Sequence, residues 1–103
     1  MRTGAKIEAR VDVNIYSQKS GLAPGRTVDI SEGGISAVVP IDLLIGETVK
    51  MEIKFPLESA TVTLVVRNRN VFRYGFEFDQ SKAGKELTGK ELLRRAPERP
   101  GSV

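Results

Sequence analysis

A chain of 103 residues has room for one domain, and with 40% apolar residues, four phenylalanines, two tyrosines and no tryptophan its core must be packed mainly by aliphatic side chains. The absence of cysteine and histidine excludes thiol chemistry, disulfides, zinc sites of the usual ligand types and imidazole acid–base catalysis. The net charge of +3 is not spread over the chain: residues 1–79 carry ten basic and ten acidic side chains, and the excess lies beyond Gln80, which argues against a body that grips a nucleic-acid backbone.

Arg2, Lys6 and Arg10 stand at a regular spacing of four in the first ten residues, and residues 1–9 read as a flexible basic arm. Alternation of period two, the mark of half-buried strands, then recurs six times. In Arg10–Tyr16 the residues Val11, Val13 and Ile15 share one face. In Arg26–Ser31, Val28 and Ile30 are expected to point inward, with Thr27, Asp29 and Ser31 outward. Ile35, Ala37 and Val39 mark a third strand, closed by Pro40. Val49, Met51, Ile53 and Phe55 mark the fourth; Val62, Leu64 and Val66 the fifth, ahead of the polar Arg67-Asn68-Arg69-Asn70; Tyr74, Phe76 and Phe78 the sixth. Turn signals at Ser20-Gly21, Pro24-Gly25, Glu32-Gly33-Gly34, Gly46 and Pro56 separate the runs.

Six short strands with hairpin-length connections point to an all-β fold, a six-stranded antiparallel β-barrel, because closure leaves no exposed edge. After Gln80 the pattern changes to helix formers, with Ser81 as a candidate N-cap for a short C-terminal α-helix over Lys82–Ala96. Gly84 and Gly89 weaken that helix, so docking on the barrel must stabilise it. Pro97 ends it, and residues 97–103 read as a disordered tail, which leaves 10–96 as the barrel and helix. No apolar run reaches the ~20 residues a membrane helix requires, and the N-terminus lacks the apolar stretch of a signal peptide, so the chain reads as soluble and intracellular.

The stretch Thr27-Val28-Asp29-Ile30-Ser31-Glu32-Gly33-Gly34 is the richest in chemistry. Asp29 and Ser31 are two apart on a strand, and Gly33 and Gly34 permit positive φ and close approach of a ligand to the backbone. An aspartate can accept two hydrogen bonds from the N1–H and N2–H₂ edge of a guanine, and a serine can serve a phosphate or sugar oxygen. The same residues also suit a plain strand-end turn in which both side chains bond loop amides. Lys6 and Arg10 read either as an ordinary charged terminus or as cations that close over an anion.

A basic arm before the first strand, followed by Asp29-x-Ser31-x-x-Gly34 after the second, resembles the PilZ domain, a bacterial receptor for cyclic di-GMP. Pro40–Val49 is similar to the family's segment leading into its next hairpin, and Tyr74-Gly75-Phe76-Glu77-Phe78 looks like its closing strand. The resemblance implies a split six-stranded barrel with a C-terminal helix, a bacterial cytoplasmic setting and no catalysis. It also implies no cofactor beyond the ligand cyclic di-GMP, and a protein partner that reads the bound state. It assigns the ligand to Asp29, Ser31 and Gly34 and to an RxxxR motif on the arm, which here is Lys6-x-x-x-Arg10; Gly33 of the same turn joins the candidate site, with Arg2 and Arg26 as helpers. Lysine lacks the planar fork that reads guanine, and one lost bidentate contact costs ~1–3 kcal/mol, or about 5- to 150-fold in affinity. A PilZ-like interaction module that no longer binds the dinucleotide is therefore the alternative. A small nucleic-acid-binding barrel comes third, since Tyr74, Phe76 and Phe78 alternate as a core face rather than as an exposed stacking platform.

Overall fold

The structure is a computed structural model and describes residues 6–97. Seven strands form in chain order: β1 (Lys6–Glu8), β2 (Asp12–Ser17), β3 (Gly21–Ser31), β4 (Gly34–Val38), β5 (Thr48–Lys54), β6 (Ser59–Asn70) and β7 (Arg73–Phe78). Six of them close an antiparallel barrel in the order β3-β2-β5-β6-β7-β4, with β4 returning to β3, and β1 lies outside the ring on the last residues of β3. The expected six-stranded all-β barrel is therefore present, and β1 is added to it. Of the segment read as an arm, Lys6–Glu8 pair with Ser31, Ile30 and Asp29, while Arg2 lies outside the described residues.

The apolar alternation does what burial requires. Val11, Val13, Ile15, Ile35, Ala37, Val39, Val49, Met51, Ile53, Val62, Leu64, Val66, Tyr74 and Phe76 all fill one core. Two strands run longer than their apolar series. β3 starts at Gly21 and carries Pro24 and Gly25 inside it; over that half it pairs with β2 alone, so the missing proline donor interrupts no ladder to β4. β6 continues through Arg67–Asn70, whose backbone pairs with β7 out to a tight tip at Val71-Phe72.

One expectation fails at β3. The register with β4 slips between Thr27 and Asp29, so Val28 is an extra residue, half-buried rather than in the core, and Thr27 is buried instead. The bulge brings the Thr27 hydroxyl to the gap between β1 and β2. There it accepts from the Val11 amide at 2.9 Å and donates to the Ala9 carbonyl at 2.5 Å. Two buried backbone groups at the strand break are thus satisfied by one side chain.

The C-terminal segment also departs from its expected form. Instead of a helix over Lys82–Ala96 begun by Ser81, a 3-10 turn at Gln80–Lys82 is capped by Asp79, and the helix α1 spans only Gly89–Arg95. Between them Gly84 takes φ +83°, and the Glu86 carboxylate accepts from the Thr63 amide at 2.7 Å and the Thr63 hydroxyl at 2.8 Å. Beyond the end of β7 this carboxylate takes the place of a strand partner for β6. Residue 86 is committed to that contact, so the helix starts later, at a capping box in which Thr88 and Glu91 bond each other's backbone amides. Leu92 is fully buried, and Arg95 reaches Glu58 at 2.9 Å.

Thr27→Val keeps the shape and removes both hydroxyl bonds, leaving a buried N–H and C=O unpaired; a loss of about 2–4 kcal/mol in denaturant unfolding is expected. The Thr88 amide holds the Glu91 carboxyl below the usual glutamate range. A depressed carboxyl pKa stabilises the folded state above its unfolded value, and that contribution is lost as pH falls through the folded pKa. The Thr88 amide resonance should therefore shift in acid with the Glu91 titration, and should cease to do so in Glu91→Gln.

Candidate ligand-binding site

The turn after β3 is built by Ser31 and Gly34. The Ser31 hydroxyl lies 3.1 Å from both the amide nitrogen and the carbonyl oxygen of Gly34, accepting from the first and donating to the second. Positive φ plays no part here, because among the described residues the glycines in that region are Gly21, Gly46 and Gly84. Gly34 is needed for a different reason: a Cβ at this position would overlap the carbonyl oxygen of Phe76 on the adjacent β7. Gly33 has open space around it. On the other side of the turn, Gly89 at the start of α1 lies so close to the Glu32 backbone that a Cβ there would also overlap. The helix thus braces the turn from behind.

Asp29, Ser31, Gly33 and Gly34 line one concavity of about 350 Å³, together with Ser36 of β4, Arg67 and Asn68 of β6, and Gly75 and Glu77 of β7. That volume is at the low end for a small-molecule site. The depression exists because small residues stand where larger side chains would fill it. A Cβ on Gly75 would sit 2.5 Å from the Asn68 side-chain oxygen. Asp29 is 8% exposed, so it is a recessed acceptor rather than a solvated one.

The other candidate residues are placed differently. Lys6 pairs through its backbone with Ser31. Arg10 is exposed at the break between β1 and β2 and does not line the concavity. Arg26 is turned to Asp12 at 3.1 Å, also outside it. Arg67, the first of the polar run after the fifth apolar series and not among the residues expected at the site, lines the concavity. The register between β6 and β7 slips between Val66 and Asn68, which makes Arg67 the bulged residue, and its guanidinium meets the Glu77 carboxylate at 2.7 Å. Both partners are about half exposed, so the pair contributes at most ~1 kcal/mol to stability. The one sequence signal for this wall was Gly75, a glycine inside a strand pattern, which marks a bulge or a close approach.

The family model for the PilZ domain matches residues 2–95. The chain belongs to the PilZ domain family. Solved structures share its fold: the PilZ domain of CeSA from a cellulose-synthesizing bacterium superimposes with a TM-score of 0.72 at 19% identity, covering 87% of this chain and 95% of that one. The Bacillus subtilis inhibitor of motility (MotI/DgrA) gives 0.67 at 20% identity over 92% of this PilZ chain, which spans about half (48%) of its length. A comparison with curated proteins by sequence gives no match. Among the described residues no helix is long and apolar enough to cross a membrane.

Within this PilZ domain the motif's Gly34 and the neighbouring Gly33 have unequal roles. Gly34→Ala should cost about 1–3 kcal/mol because the new methyl meets a fixed carbonyl. Gly33→Ala should stay within about 0.5 kcal/mol of the wild type. Chemical denaturation of the two variants side by side measures both.

Proposed function

We propose that this PilZ domain is a non-catalytic receptor for cyclic di-GMP, which relays the level of that messenger to a partner protein in a bacterial cytoplasm. The observation that carries the reading is that Asp29, Ser31 and Gly34, the residues of the family motif, line one concavity on the barrel wall together with Gly33. Asp29 is a recessed carboxylate on that wall, of the kind that pairs with a guanine edge, and Arg10 and Lys6 lie on the chain entering it. In this reading the N-terminal residues close over the dinucleotide, and the altered surface is what the partner reads.

A second reading, a PilZ interaction module without the ligand, is favoured by Lys6 at the place where the family motif has arginine. Calorimetric titration with cyclic di-GMP, with GTP as a control, separates the two. The receptor reading expects saturable binding that weakens at least about tenfold in Asp29→Ala and in Arg10→Ala. A flat trace at millimolar cyclic di-GMP overturns it, and tight binding that appears only in Lys6→Arg identifies a degenerate site.

A further inference from the structure

Among the described residues, the charged side chains that line the concavity are Asp29, Glu77 and Arg67. The ligand proposed above carries two phosphodiester charges, which a guanidinium is suited to meet. Arg67 is the basic group on the wall among the described residues, and it is engaged by Glu77 at 2.7 Å. Resting on the cyclic di-GMP reading, we infer that Glu77 sets the affinity of the site by competing with a ligand phosphate for Arg67.

Three features make this exchange feasible. The pair is about half exposed, so breaking it sacrifices little folding stability. Arg67 stands at a bulge, where the extra residue re-aims a side chain across the outer face of the sheet, and its neighbour Asn68 lines the same space. A guanidinium is also the group best matched to a phosphate, since its planar fork bonds two oxygens at once. A phosphodiester oxygen entering the concavity replaces the Glu77 carboxylate as the acceptor for Arg67, and Glu77 turns to solvent. This wall then supplies the planar cation that Lys6 does not.

Calorimetric titrations of cyclic di-GMP into the wild-type chain, Glu77→Gln, Arg67→Gln and the double variant test the inference. Glu77→Gln removes the competing charge while keeping the shape, so Kd should fall about tenfold; Arg67→Gln should raise it about tenfold. In the Arg67→Gln background, Glu77→Gln should recover only a small part of its gain, which is the coupling that a direct effect of Glu77 on the ligand would not produce. Wild-type binding with Kd within twofold in both single variants overturns the role of this pair and leaves the receptor reading intact. Flat traces for the wild type and for Glu77→Gln overturn both.

Discussion

The hydroxyl of Thr27 joins three strands. Where β1 ends and β2 begins, the chain leaves the ladder, and the Val11 amide and the Ala9 carbonyl face a buried gap. An unpaired buried backbone group costs as much as a good hydrogen bond gains, so the break is tolerable only with a replacement partner. The bulge at Val28 supplies it by turning Thr27 inward. The consequences extend along β3. Its first half stays on β2, its last residues carry β1, and its other edge closes the ring against β4. Asp29 and Ser31 lie just past this junction, on the stretch of β3 that is held from both sides.

The wall of the site depends on a second set of close approaches. Gly34 lets β4 lie against the carbonyl of Phe76, Gly75 leaves room for Asn68, and Gly89 lets α1 press on the backbone behind the turn. These contacts set the depth of the concavity and make the turn rigid. The charged groups around it are softer. Arg67 and Glu77 are exposed and paired with each other, and both can change partners without disturbing the core. A rigid floor beneath adjustable charges fits the receptor role proposed above, because exposed side chains can re-partner while the barrel keeps its shape.

The core was legible in the chain to a high degree. Each apolar series of period two, from Val11-Val13-Ile15 to Tyr74-Phe76, is buried, since alternation along a strand leaves only one face for the interior. The exceptions are Val28, which alternation assigned to the core in place of Thr27, and Phe78, which is half-buried at the end of its strand. Likewise, Glu86 was unremarkable among helix formers, yet its carboxylate is taken by Thr63, 23 positions away, and the helix yields to that contact.

For the site, the sequence by itself determined the motif strand, its turn and the glycine that follows, because these lie within a few residues of one another and local geometry constrains them. The tertiary structure alone decided the opposite wall. Arg67, Asn68, Gly75 and Glu77 reach the motif through the pairings of β6 with β7 and β7 with β4, and through a slip in register that no local pattern encodes. A bulge is a property of two strands matched against each other. A residue's place on one face of the barrel is therefore settled only when the ring closes.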